Sequence, residues 1–227
     1  MVDRAQSQAD ETLKPPPPRP RSRVLPGRVE NAGRPCVFLD RDGTVTKEAG
    51  YINHPERLEL LPGAAGAIRR LNRAGVLAVL VSNQAGLARG YFSQDVLQAT
   101  FARLEALLAG RGARLDASYY APFHPSSADP RWRHDPDELR KPGLGMLRKA
   151  QAEWPIDMGR SYMVGDRHND VVFAHKAGLA GVLVKTGYGL GEVAYQRETW
   201  TEQPERICDD LAGAVRWILA DLKRKTR

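Results

Sequence analysis

Cys36-Val37-Phe38-Leu39-Asp40-Arg41-Asp42-Gly43-Thr44 is a short apolar run that stops at two carboxylates separated by one residue. An apolar run of this length, closed by an Asp-Gly turn, reads as a buried strand, and strands buried on both faces belong to parallel sheets covered by helices. In open α/β sheets the ligand crevice lies beyond the carboxyl ends of the strands. Both acids therefore stand where a substrate would bind. A turn alone explains an Asp-Gly pair, but D-x-D-G-T after a buried strand is a much more specific pattern.

Outward from that run, strand-like and helix-like patterns alternate, as βαβ units do. Gly63 to Ala74 carries Ile68 and Leu71 at helical spacing, with Pro62 before it and Gly75 after it. Val76 to Val81 is a second buried strand, ending at Ser82. Ser93 caps a helix with the apolar stripe Val96, Leu97, Phe101, Leu104, Leu107 and Leu108. Further strands are expected at Ala117 to Phe123, Ser161 to Val164 and Gly181 to Lys185, with helices around Gly143 to Glu153, Asp170 to Ala177 and Asp209 to Lys223. The fold class is α/β, in three α/β/α layers around a mainly parallel sheet.

Other predicted strand ends add complementary chemistry. Ser82 offers a hydroxyl, Lys141 in Arg140-Lys141-Pro142-Gly143 a positive charge, and Gly165-Asp166-Arg167-His168-Asn169-Asp170 a second acidic cluster. Two acidic strand ends facing one crevice repel each other unless a hard cation lies between them, and a few oxygen ligands completed by water and phosphate suit magnesium. A lone Ser, Lys or Asp near a loop is usually just solvated. The order and placement of the set carry the inference.

Composition sets the bounds. The chain has 227 residues, 42% of them hydrophobic, enough for one sizeable core. Its longest apolar run is far too short to span a bilayer, and no apolar block follows the basic N-terminus, so a cytoplasmic protein without a membrane partner is expected. Cys36 and Cys208 form no C-x-x-C or Cys/His cluster and read as small core hydrophobes. Residues 1 to 33 hold Pro15 to Pro18 and Arg19-Pro20-Arg21-Ser22-Arg23 with few apolar side chains, which reads as a disordered Pro/Arg-rich tail ahead of one domain over 34–227. Up to residue 34, seven basic residues against four acidic ones leave +3 of the net +7. A modest basic balance fits an enzyme for anionic substrates as well as a nucleic-acid binder.

At these residues the chain resembles the haloacid-dehalogenase superfamily of phosphatases, whose four motifs match Asp40-Arg41-Asp42-Gly43-Thr44, Ser82, Lys141 and Gly165-Asp166 in order. The resemblance covers about residues 35 to 190 and implies a Rossmann-like fold. It further implies that Asp40 is the nucleophile, that Asp42 acts as acid and then base, and that Ser82 and Lys141 bind the transferring phosphoryl group. Magnesium would be held by Asp40, Asp166 and the main-chain carbonyl of Asp42, with Asp170 one step behind. Within the superfamily, Gly50-Tyr51-Ile52-Asn53, Ser82 to Gly90 and Arg140 to Gly143 are similar to the heptose 1,7-bisphosphate and histidinol-phosphate phosphatases, which carry only a minimal cap. That likeness carries over substrate contacts to Arg41, Glu48, Gly50, Tyr51, Asn83 and Gln84, with Arg140 and Arg167 available for a second anionic group. The implied reaction removes the 7-phosphate from a heptose bisphosphate on the way to nucleotide sugars; histidinol phosphate or another sugar phosphate is the alternative.

One departure is plain. The zinc loop of those relatives, C-x-H and later C-x-C, is replaced by Ala121-Pro122-Phe123 and Asp137-Glu138-Leu139. Zinc is not expected, nor a substitute site at His124, His134, Asp135 and Asp137. Thr186-Gly187-Tyr188-Gly189-Leu190-Gly191 resembles a phosphate loop but lacks the Gly-Lys-Ser/Thr ending and follows the last predicted strand, so it reads as a flexible connection. Two competing classes remain. A polynucleotide 3′-phosphatase would need a basic and aromatic stripe, which the sequence lacks, so nucleic acid is not an expected partner; a non-catalytic binding module would not need Asp40, Asp42, Lys141 and Asp166 intact. The expected protein is a monomer acting on a small phosphorylated metabolite, with Lys141 mattering more for catalysis than for folding.

Overall fold

The apolar run Cys36–Leu39 forms β1, the centre of a six-stranded sheet in a computed structural model that describes residues 33–225. All but the last residue of the Pro/Arg-rich segment expected over residues 1 to 33 lies outside the described residues. The strands are β1, β2 (Leu77–Asn83), β3 (Ala117–Ala121), β4 (Tyr162–Gly165), β5 (Ala180–Val184) and β6 (Arg206–Cys208). Every neighbouring pair is parallel, in the order β3-β2-β1-β4-β5-β6.

Alternation along each strand builds the layers. Val37, Leu39, Ala78, Leu80, Tyr162, Val164, Val182 and Val184 pack in one core with Ile68 and Leu71 of α1 (Ala64–Arg73) and Val215 and Ile218 of α6 (Leu211–Lys225). Cys36, Phe38, Leu77, Val79, Val81 and Met163 pack in the other with Met146 and Leu147 of α3 (Gly145–Glu153) and Phe173 and Ala174 of α4 (His168–Lys176). The stripe on α2 (Gln94–Ala109) buries Leu97, Leu104 and Leu108, and Ser93 caps the helix by accepting from the Val96 N–H. Between β1 and α1 there is only a short segment with one 3₁₀ turn at Pro55–Arg57, which leaves the sheet ends without a cap domain. Among the described residues no helix is long and apolar enough to cross a membrane.

Two expectations need correction. A sixth strand exists, although Arg206-Ile207-Cys208 is too short to show a period. It is tied to the edge by partners distant in sequence: Glu205 accepts from the Gly181 N–H at 2.6 Å, and His175 contacts Glu202 at 2.8 Å and Glu205 at 3.2 Å. Thr186–Gly191 is therefore not the end of the sheet. Nor is it a loose connection: Thr186 Oγ1 donates to the Gly43 carbonyl at 2.6 Å, and Gly189–Gly191 forms the single helical turn α5.

Candidate active site

The chain lays down β1, β2 and β3 in one direction across the sheet and then returns to place β4, β5 and β6 on the other side of β1. That reversal opens a crevice between β1 and β4, the usual ligand position in such sheets. Asp40 follows β1 directly and its N–H donates to the Val164 carbonyl at 3.0 Å, while Asp166 follows β4. Ser82 is the penultimate residue of the adjacent β2. Short apolar strands thus bring three sequence-distant motifs to one sheet end.

Lys141 is 4% exposed, with Nζ 3.0 Å from Asp40 Oδ1 and 2.7 Å from Asp170 Oδ1. Oxygens of Asp40, Asp166 and Asp170 lie within 4.8 Å of one another, the one such group among the described residues. One ammonium cannot neutralise three carboxylates. Burial chiefly, with Asp170 and Asp42 adding to it and Lys141 opposing, pushes the Asp40 carboxyl up to about 6. Burial, then Asp40 and Asp170, pushes Asp166 up to about 8. Burial opposes the Lys141 charge, yet Asp170 and Asp40 outweigh it and raise that group. A buried, oxygen-only, over-negative cluster suits a hard divalent ion such as magnesium. Asp170 accepts from Lys141 with one oxygen and from the Arg167 N–H, at 3.2 Å, with the other, so it stands behind Asp40 and Asp166.

Backbone shape around Asp166 depends on two glycines. Gly43 (φ 76°) and Gly187 (φ 57°) approach the same Oδ2, and a Cβ on either would collide with it. The Tyr188 N–H donates to that oxygen at 2.8 Å.

Three residues expected at the substrate turn their side chains to neighbouring site residues instead, Arg41 and Gln84 buried and Asn83 partly so. Arg41 is 1% exposed; Nε donates to Asp42 Oδ1 at 3.0 Å and Nη2 to Asp42 Oδ2 at 2.8 Å and to Gln84 Oε1 at 2.9 Å. Gln84 Nε2 donates to Asp42 Oδ2 at 3.0 Å and Ser82 Oγ at 2.8 Å. Asn83 clasps the backbone of Lys141, donating to its carbonyl at 3.1 Å and accepting from its N–H at 2.9 Å. These side chains aim Asp42, Ser82 and Lys141, and Arg41 Nη1 is left buried with no hydrogen-bond partner among the described residues.

The mouth is lined by other side chains. Glu48 accepts from the exposed Gly50 N–H at 2.6 Å, and half-exposed Tyr51 packs on Tyr91 at 4.5 Å. Burial lowers the Arg140 guanidinium, and the like charges of Arg89 and Arg167 add to that. Arg140 Nη1 is buried without a hydrogen-bond partner among the described residues. Arg89, also 2.9 Å from His124 Nε2, was not singled out in the sequence, although it falls in the run after Ser82 that carries the resemblance. Where relatives were expected to carry zinc ligands, Phe123 and Leu139 are buried and Phe123 packs on Trp132 at 5.8 Å.

Comparisons with known proteins follow the same lines. A HAD-hydrolase-like family model matches residues 138–214. The D-glycero-D-manno-heptose-1,7-bisphosphate 7-phosphatase of Thermosynechococcus vestitus is 45% identical over 194 residues, 83% of this chain and 97% of that protein. The corresponding D-glycero-beta-D-manno-heptose-1,7-bisphosphate 7-phosphatase of Escherichia coli K12 is 38% identical over 167 residues, 73% of this chain and 87% of that one. Among solved structures, the D,D-heptose 1,7-bisphosphate phosphatase of B. bronchiseptica, complexed with magnesium and phosphate, superposes with a TM-score of 0.72 at 33% identity, covering 82% of this chain and 99% of that one.

Proposed function

The chain belongs to the haloacid-dehalogenase-like phosphatases, and from that premise we propose that it is a magnesium-dependent D-glycero-D-manno-heptose 1,7-bisphosphate 7-phosphatase. The observation that carries the chemistry is Lys141 between Asp40 and Asp170 beside Asp166, a nucleophilic carboxylate set in a charge-compensating cradle. The Asp40 carboxylate attacks phosphorus as the bond to the sugar oxygen breaks, and the proton of Asp42 passes to that oxygen. Water then attacks the phosphoaspartate, Asp42 takes its proton, and the Asp40–phosphorus bond breaks to release phosphate. Splitting one displacement into two is the general benefit of a covalent intermediate.

Asp40, Asp166 and the main-chain carbonyl of Asp42 would hold magnesium, whose charge offsets repulsion between phosphate and carboxylates. Lys141 and the Ser82 hydroxyl face the phosphoryl oxygens, where charge stabilisation does most of the work. The unpartnered Nη1 of Arg140, with Arg89 and Arg167 alongside, suits the phosphate that is not cleaved, since guanidinium forks bind phosphate in bidentate fashion. All these groups come from one chain, so a monomer suffices.

The test compares kcat/KM for heptose 1,7-bisphosphate and histidinol phosphate, following release from C7 by phosphorus NMR, with Asp40→Asn as the control for the covalent step. Equal specificity for the two substrates would remove the heptose assignment; near wild-type turnover by Asp40→Asn would remove the mechanism.

A further inference from the structure

The glycine-rich run Thr186–Gly191 has no part in the reaction just described, yet it touches the site at several points. Thr186 Oγ1 holds the Gly43 carbonyl at 2.6 Å, the Tyr188 N–H holds Asp166 Oδ2 at 2.8 Å, and the Gly189 N–H returns to the Thr186 carbonyl at 2.9 Å. The backbone of Tyr188 is thereby fixed relative to both acidic strand ends. Its ring is 45% exposed, and the Arg167 guanidinium carbon lies 3.8 Å from the ring centroid, well inside the range of a cation–π contact.

We infer that Tyr188 is a positioning residue that holds the Arg167 guanidinium at the crevice mouth, where it receives the phosphate that is not cleaved. This rests on the bisphosphate reading above. Arg167 is exposed, and a free arginine side chain loses much rotamer freedom when it closes on an anion. Stacking on a ring whose backbone is already fixed removes part of that loss before substrate arrives. Arg167 directly follows Asp166, and the Tyr188 N–H holds Asp166 Oδ2 at 2.8 Å, so the stacked pair stands beside the acidic cluster.

The contact is side chain to side chain, so replacing the ring spares the Tyr188 N–H bond to Asp166. Steady-state kinetics of wild type, Tyr188→Ala, Tyr188→Phe, Arg167→Ala and the double variant on heptose 1,7-bisphosphate and heptose 7-phosphate test it. Tyr188→Ala should raise KM for the bisphosphate about fivefold more than for the monophosphate, the effect of an exposed cation–π contact. Tyr188→Phe, which keeps the ring face, should restore wild-type discrimination, and Tyr188→Ala should add nothing to Arg167→Ala. A bisphosphate preference that survives Tyr188→Ala, or Tyr188→Phe as impaired as Tyr188→Ala, would overturn the role of Tyr188 alone. A wild type that does not prefer the bisphosphate would overturn this inference together with the substrate assignment.

Discussion

Arg41 and Asp42, neighbours in sequence, face each other through a two-pronged pair, Nε to Oδ1 at 3.0 Å and Nη2 to Oδ2 at 2.8 Å. The fork fixes the plane of the carboxylate proposed as acid and base, and Gln84, the residue after β2, completes the frame. Arg41→Lys keeps the charge but loses the fork, so Asp42 should rotate away from its working direction. Loss of aim of this kind costs on the order of 100-fold in kcat. KM for an aryl phosphate should change little, because Arg41 is buried and away from solvent. A variant with raised KM and unchanged kcat would return Arg41 to the substrate-binding set.

Lys141 was expected to serve catalysis more than folding, and its surroundings give it a part in both. It is the buried cation between Asp40 and Asp170, so Lys141→Ala leaves two buried carboxylates without their partner. Breaking such a pair costs about 3–5 kcal/mol. Metal-free Lys141→Ala should therefore lose stability, and the same variant assayed with magnesium should lose activity; adding Asp170→Asn should recover part of the stability and none of the activity. Denaturant melts of the three proteins decide it: a Lys141→Ala melt equal to wild type would show that the pair contributes nothing to folding.

The acidic cluster gives stability a pH dependence that metal should cancel. Asp40 rises from its ordinary 3.8 to about 6, and Asp166 from 3.8 to about 8. An acid whose folded pKa is raised favours the fold while protonated, so its contribution is complete below about pH 4 and is lost as pH climbs through the folded value. Metal-free protein should thus lose Tm progressively between about pH 4 and about pH 8, through Asp40 and Asp166 together up to about pH 6 and through Asp166 alone above it. Magnesium binds the ionised carboxylates, so the Tm gap between magnesium-loaded and chelated protein should widen over the same interval. A gap that narrows with rising pH would contradict the placement of the ion among these acids.

Much of this was legible in the chain itself. Buried strands such as Cys36–Leu39 and Leu77–Asn83 announce themselves as apolar runs, and acids placed directly after them can only lie at the sheet end. Direction of side chains was not legible. Arg41, Asn83 and Gln84 sit in the right motifs but turn inward to Asp42 and to the Lys141 backbone, a choice made by partners about 40 to 60 residues away. The edge strand Arg206–Cys208 was missed for a related reason, since its pairing depends on Gly181 and His175 and not on any local period. The glycine run Thr186–Gly191 looked like a mobile link because glycine permits motion. Here Gly187 permits close approach, leaving room for Asp166 against Gly43.

The segment between β3 and α3 holds its shape by apolar packing where zinc thiolates were the expected device of relatives. Phe123 and Leu139 are each 8% exposed, and Phe123 meets Trp132 at 5.8 Å, so the two ends of the segment share one buried cluster. Leu139 directly precedes Arg140 and Lys141, which ties that packing to the position of both cations. Phe123→Ala removes a buried ring and should cost about 3 kcal/mol, or a fall in Tm of about 6–12 °C for a domain of this size. It should also raise KM, because Arg140 loses the support beneath it. With excess magnesium present, a zinc-selective chelator should leave the wild-type Tm unchanged, since Phe and Leu side chains offer no metal ligand. Elemental analysis that finds one zinc per chain, or a Phe123→Ala protein as stable as wild type, would show that the segment is held by something other than this cluster.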